Sequence, residues 1–248
     1  MSAVIDFHSH VLPDIDDGSA SVAESVAMLQ LEAEQGITHV IATPHFYPRH
    51  DTPERFLERR ARAEEALRTE MANHSGLPEV GVGAEVHFFR GMSESEILPR
   101  LTIREKHCIL IEMPPSPWPE SAYRELEGIW EKHGITPVIA HIDRYIGPIR
   151  TYHIPERLAE LPVLVQANAD FFLNRSTALM ALRMLKMDQI HLLGSDCHNM
   201  SSRKPNLGIA LQEIRRRLGE DMLSRIREYE HGILRVKDSY IDRMEWSL

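Results

Sequence analysis

The chain has 248 residues, 43% of them hydrophobic and 26% charged, with a formal net charge of −9; this balance suits one globular domain with a full core and excludes a disordered or fibrous chain. The negative balance offers no basic field for a phosphate backbone, so nucleic acid is not an expected partner. No stretch reaches the roughly 18 apolar residues of a membrane span, no leader pattern opens the chain, and Cys108 and Cys197 stand far apart, so a cytoplasmic protein that is not membrane-embedded is expected.

The first ordered stretch, Val4-Ile5-Asp6-Phe7-His8-Ser9-His10, is an apolar run ending in two histidines one residue apart. Positions two apart on a strand share a face, so both imidazoles can converge on one ion; a buried structural pair is the plainer alternative. Asp14-Ile15-Asp16-Asp17-Gly18 reads as an acidic turn. Ser21-x-x-Glu24 is a capping box that opens a helix stopping at Gly36, with Met28, Leu29, Leu31 and Ala33 as its buried stripe. Val40-Ile41-Ala42 forms the second strand and leads to His45.

Thr52-Pro53 caps a long, mostly exposed helix from Arg55 to about His74. The Arg55–Arg62 cluster within it is interleaved with acids and reads as a solvated face. Val80 to Glu85 and Cys108 to Glu112 are strands that end in carboxylates. A proline-rich loop then precedes a helix over 120–133, and Thr136 to Ala140 delivers His141. Val163 to Asn168 is the sixth strand. A helix over 174–187 follows, with Leu179, Leu182 and Leu185 facing the core, and Ile190 to Gly194 runs into Ser195-Asp196-Cys197-His198. Helical segments near 207–218 and 222–231 precede a tail, 232–248, to which no role is assigned.

Seven strands alternating with helices and no linker predict a single domain over 1–248 with a parallel sheet and helices outside. An open doubly wound sheet is the alternative, but polar residues at the end of nearly every strand favour a barrel, whose loops converge on one mouth. The candidates are His8, His10, Asp17, His45, Glu85, Glu112, His141, Asp196 and His198. Each alone is explained by a loop hydrogen bond; together they point to metal. Imidazole and carboxylate without thiolate suit Mn, Fe or Zn, and the ligands exceed what one ion needs, so two or three divalent ions are expected. Four carboxylates against three divalent ions leave a positive site that attracts a phosphate dianion. Phe46, Tyr47 and Trp118 follow strands at the mouth and are candidates to flank a substrate ring, with plain packing as the alternative.

Ile5-Asp6-Phe7-His8-Ser9-His10, Asp16-Asp17-Gly18, Ala42-Thr43-Pro44-His45, Gly83-Ala84-Glu85, Ile111-Glu112, the run from Pro137 to Tyr145, Gln166-Ala167-Asn168 and Ser195-Asp196-Cys197-His198-Asn199 resemble the PHP superfamily. Within it they are similar to the manganese-dependent bacterial protein-tyrosine phosphatases of capsule and exopolysaccharide synthesis, the CpsB/YwqE group. The resemblance implies a distorted seven-stranded TIM-like (β/α)7 barrel of the PHP type and a trinuclear site. By motif, His8, His10, Glu85 and Asp196 hold one ion, Glu85, Glu112 and His141 a second, and Asp17, His45 and His198 a third. It also implies that Arg144 and Arg203 grip the phosphoryl oxygens, and that the substrate is a tyrosine-phosphorylated protein, a bacterial tyrosine autokinase of polysaccharide export. Metal-activated hydroxide then attacks phosphorus without a phosphoenzyme. Two alternatives stay open: a small-molecule phosphomonoesterase such as a histidinol phosphatase, and a Cys197 nucleophile, since Cys197 and Arg203 have C-x5-R spacing but no glycine-rich loop between them. The sequence sets no oligomeric state.

Overall fold

The computed structural model describes residues 3–103, 107–115, 117–146 and 153–235. Among the described residues nine strand segments appear where the pattern predicts seven strands, because two are broken in the middle. β2 (His39–Ala42) resumes as β3 (His45–Phe46), and β4 (Glu79–Val82) resumes as β5 (Glu85–His87). Pro44 has no N–H to give a ladder, and Gly83 passes so near Ile103 that a Cβ there would lie 2.9 Å from its Cγ1.

Every ladder is parallel. β1 (Ile5–Ser9), β2 and β4 form a three-stranded sheet; β3, β5, β6 (Cys108–Glu112), β7 (Thr136–Ile139), β8 (Leu164–Asn168) and β9 (Leu192–Gly194) form a six-stranded one. Backbone bonds carry the pairing across the breaks, from Gly83 N–H to Ala42 O at 2.9 Å and from Glu85 N–H to Pro44 O at 3.0 Å. Past the end of β9, Asp196 N–H donates to His8 O at 2.8 Å and His10 N–H donates to Cys197 O at 2.9 Å. The fold is therefore α/β with a curled parallel sheet whose strands all end on the same side.

Strand alternation splits the core in two. Ile5, Phe7, Ile41, Leu110, Val138, Leu164 and Leu192 pack on one side. Val40, Ile109, Ile111, Ile139, Val165 and Leu193 pack on the other with helix residues such as Leu29, Leu126, Ile129 and Leu185. A run such as Ile109-Leu110-Ile111 is continuous because both faces are covered, and each such side chain contributes about 1.5–3 kcal/mol of burial.

The helices are α1 (Val22–Glu34), α2 (Pro53–Met71), α3 (Leu98–Leu101), α4 (Glu120–His133), α5 (Ile154–Ala159), α6 (Ala169–Leu173), α7 (Ala178–Lys186), α8 (Leu207–Leu218) and α9 (Glu220–Arg235). α1 is capped as its spacing predicts: Ser21 Oγ accepts from Glu24 N–H, and the Glu24 carboxylate accepts from Ala20 N–H. Its buried stripe differs, with Glu32 fully buried while Leu31 and Ala33 are half-buried. α7 starts later than position 174, because Asn174 Oδ1 accepts from Ser176 N–H and holds a turn there. The changed phase leaves Leu179 76% exposed and buries Ala181, Leu182, Met184 and Leu185. α3, α5 and α6 are too short to leave a periodic signal. Most of the 232–248 tail lies outside the described residues, and no described helix is long and apolar enough to cross a membrane.

Candidate metal centre

The strand ends deliver their polar residues to one place. The His8 and His10 Nε2 atoms lie 3.2 Å apart. They stand 3.2 and 3.3 Å from Glu85 Oε2 and both 3.5 Å from Asp196 Oδ1. Neighbouring ligand atoms on one ion with bonds of about 2.0–2.2 Å stand roughly 3.0–3.5 Å apart. His141 Nε2 is 2.7 Å from Glu85 Oε1 and 3.8 Å from Glu112 Oε1. Asp17 Oδ1 is 3.5 Å from both His45 Nε2 and His198 Nε2. All nine sequence candidates thus share one cluster.

Two buried nitrogens facing it, His45 Nδ1 and His198 Nε2, have no hydrogen-bond partner among the described residues; His45 Nδ1 is 3.0 Å from Glu85 Oε2 without hydrogen-bond alignment. Orphaned buried nitrogens of this kind are what a cation would satisfy. The groupings are less tidy than the motif partition. Donor atoms within 4.8 Å of one another come from His8, His10 and Glu85, from His10, Asp17, His45 and His198, and from His45, Glu85 and Glu112. His10, His45 and Glu85 therefore each belong to two groups.

The charges are strongly coupled. Burial pushes the Glu85 carboxyl up, but the charge on His8 and the facing His10, His141 and His45 rings outweigh it and hold it well below the usual range. Asp196 is held low by His8 and His10 against its own burial. Burial works to lower His8 and His10, and the facing carboxylates raise them. His198, buried and 3.9 Å centroid to centroid from the His10 ring, is lowered to about 4.

Several positioning groups stand in the motif stretches without a role assigned to them there. Asp16 Oδ2 sits 2.8 Å from His10 Nδ1 and accepts from His45 N–H at 2.9 Å, while its Oδ1 accepts from Gly18 N–H at 3.0 Å. Gln166 Oε1 faces His8 Nδ1 at 3.2 Å and accepts from His141 N–H at 2.7 Å. Asn168 Nδ2 donates to Asp196 Oδ2 at 2.9 Å. Such partners fix which ring nitrogen faces the cluster. The available signal was Gln166 itself, an amide inside the apolar run Val163–Ala167.

Arg144 Nη2 and Arg203 Nη2 both reach Asp196 Oδ2, at 2.6 and 2.7 Å, with side chains 41% and 37% exposed. The guanidiniums therefore border the cluster, with Arg144 Nη1 also 3.2 Å from His141 Nε2, and stand partly exposed at the mouth. His141, at φ 32°, and Asp196, at φ 53°, adopt left-handed backbone. Such strain at non-glycine residues concentrates where side-chain direction is functional.

Of the aromatic candidates, Tyr47 stacks on His45 with centroids 5.0 Å apart and is half-buried at the mouth. Phe46 is buried at 2% exposure and packs on Phe56, since adjacent strand residues face opposite sides. Trp118 is also buried: its Nε1–H donates to Pro114 O and its ring packs on Tyr145, which in turn packs on His141. Neither Phe46 nor Trp118 lines an open wall. Cys197 is fully buried on the helix side, and burial pushes its thiol well up, which is the reverse of a reactive thiolate. Beside it, burial raises the Asp6 and Glu32 carboxyls.

Residues 4–232 match the family described as capsular polysaccharide synthesis, CpsB/CapC. The tyrosine-protein phosphatase YwqE of Bacillus subtilis (strain 168) is 29% identical over 240 residues, covering 94% of this chain and 92% of that protein. The tyrosine-protein phosphatase CpsB of Streptococcus pneumoniae is 28% identical over 246 residues, covering 87% and 91%. The crystal structures of YwqE and CpsB, described as metal-dependent tyrosine phosphatases, provide a match with a TM-score of 0.80 at 23% identity, covering 94% of both chains.

Proposed function

The chain belongs to the CpsB/CapC family of capsular polysaccharide synthesis, and from that membership we propose that it is a metal-dependent phosphotyrosine-protein phosphatase. The observation that carries this reading is the convergence of His8, His10, Asp17, His45, Glu85, Glu112, His141, Asp196 and His198 at one end of the sheet, bordered by two arginines. We read the ligand sets as two or three divalent ions, with Mn first and Fe or Zn next. When bound, such ions supply Lewis-acid charge and lower the pKa of water toward neutrality.

The chain's own residues do the rest. Asp16 and Gln166 hold His10 and His8 with Nε2 toward the cluster. Arg144 and Arg203 bind phosphoryl oxygens and take up charge as it spreads over them. Tyr47, beside His45, offers a face to the substrate's ring. A phenolate, with a parent pKa of about 10, leaves more readily than a serine alkoxide and needs less acid help. The buried, raised Cys197 favours this route over a thiol nucleophile.

The seven-strand PHP barrel over a single domain is supported by the bonds that join β1 to the residues after β9 and bridge the two broken strands. A cytoplasmic enzyme acting on a tyrosine autokinase of polysaccharide export is consistent with the family's description. The test is hydrolysis of phosphotyrosine and phosphoserine peptides by chelator-stripped protein refilled with Mn, Zn, Fe or Mg, alongside Cys197→Ser and His141→Ala. Metal-dependent phosphotyrosine cleavage that survives Cys197→Ser and collapses in His141→Ala is expected. Activity that survives chelation but dies with Cys197→Ser overturns the mechanism; cleavage of histidinol phosphate alone overturns the substrate.

A further inference from the structure

A groove of about 520 Å³ opens beside the cluster, lined by Asp17 and His45 at its inner end and by Tyr47, His50, Asp51, Arg55 and Arg59 farther out. Its acids are engaged. Asp16 holds His10 and the His45 backbone, Asp17 faces His45 and His198, and Asp51 is ion-paired with Arg59. Arg59 is engaged as well, donating to Ile15 O at 2.7 Å. Arg55 differs: its side chain is 75% exposed, and it reaches Asp51 Oδ1 only at 3.8 Å. His50, exposed nearby, stands edge-on to Tyr47. Arg49 is exposed on the same stretch, whereas Arg60 turns away to Gly83 O and Arg100 O. Arg55 is therefore the groove's exposed and only loosely paired cation.

Resting on the phosphatase reading, we infer that this groove receives the peptide flanking the phosphotyrosine and that Arg55 selects substrates with carboxylates beside it. A substrate ring against Tyr47 places the adjoining residues along the groove, and an extended chain advances about 3.3–3.6 Å per residue. Arg55 meets those residues in water, so its contribution is modest and falls with added salt.

The test uses the Mn-loaded full chain and three phosphotyrosine peptides that differ only in acidic, neutral or basic flanks. The acidic peptide is expected to exceed the neutral one in kcat/KM by about threefold to fivefold, chiefly through KM. Arg55→Glu is expected to invert the acidic-to-basic order, whereas Arg124→Glu, an exposed site on α4, keeps it. Equal cleavage of all three peptides by the unaltered protein overturns the inference. So does an order that Arg55→Glu leaves unchanged, or one that shifts equally in Arg124→Glu. If p-nitrophenyl phosphate and every peptide resist the loaded enzyme, the phosphatase reading fails first and takes the groove with it; cleavage of all substrates without flank preference removes the groove alone.

Discussion

Asp16 shows how one carboxylate can matter without touching a metal. The turn Asp16-Asp17-Gly18 offers two adjacent acids, and the backbone sends them to different tasks: Asp17 to His45 and His198, Asp16 to His10 Nδ1 and two backbone N–H groups. Those bonds and the His10 charge overcome its burial and hold Asp16 at about 2, so it stays anionic and keeps the His10 proton on Nδ1. Asp16→Asn preserves the shape but removes the charge. Metal affinity should fall by about 10- to 100-fold, the usual effect of losing a carboxylate behind a histidine ligand, with the fold intact by circular dichroism. Calorimetric titration with Mn that gives the same affinity in both proteins would refute the assignment. In the proposed mechanism Arg144 and Arg203 act on substrate instead. Arg144→Ala should lower kcat/KM for phosphotyrosine peptide by about 10²-fold or more, while calorimetric Mn affinity changes far less; a variant that loses metal first would place Arg144 in the ligand scaffold.

At the scale of elements, β1 and β9 must touch for His8 to meet Asp196. Gly194 permits it: a Cβ there would lie 2.6 Å from His8 Cβ and 2.8 Å from His8 N. Gly194→Ala should therefore cost about 1–3 kcal/mol in a urea melt and weaken Mn binding with it. Gly36→Ala is the contrast, because Gly36 has open space but a φ of +85°; it should lose stability without losing affinity. At the opposite end of β9, His191 Nδ1 accepts from Val165 N–H at 3.0 Å, which requires a neutral ring, and burial lowers it to about 4. The unfolded chain binds this proton near pH 6.5 and the native chain does not. Stability is thus full above pH 6.5 and declines as pH falls toward 4, by about 2 kcal/mol after allowing for partial exposure. Urea melts at pH 7 and pH 5 should show the loss, and His191→Gln should flatten it; equal pH slopes in the two proteins would contradict the account.

These elements also show what the sequence could carry. α1 and α2 were legible because Ser21 and Thr52 cap them as their spacing predicts, and the strand-end ligands because a histidine or carboxylate after a β-branched run stands out. The aromatic wall was not legible: Phe46 and Tyr47 are adjacent, and only the register of β3 decides which one enters the core. Asp16 and Asp17 pose the same problem, since a turn's dihedrals, not its composition, aim each carboxylate. The groove was hidden for another reason. Arg55 and Arg59 look alike in a charged helix, and only the fold shows that Arg59 is paired with Asp51 and Ile15 O while Arg55 is nearly free.

Across the whole molecule, the cluster gathers side chains from β1, β3, β5 and β6 and from the segments after β7 and β9, so its donors span positions 8 to 198. In the unfolded chain these groups are far apart, so ions that bind only the folded arrangement stabilise it by mass action. At a free ion concentration of 100 times the dissociation constant that amounts to about 2.7 kcal/mol per site. For a chain of this size it corresponds to a rise in Tm of roughly 5–10 °C. Differential scanning calorimetry of chelator-stripped protein, with and without saturating Mn, should show that rise, and Asp196→Asn should reduce it by removing a charge that faces both His8 and His10. The stripped protein should still melt cooperatively, because the two apolar layers of the sheet do not depend on the ions. Identical melting temperatures with and without metal would mean that the cluster's donors are satisfied by one another's protons, and the reading of this mouth as a metal centre would fail at its base.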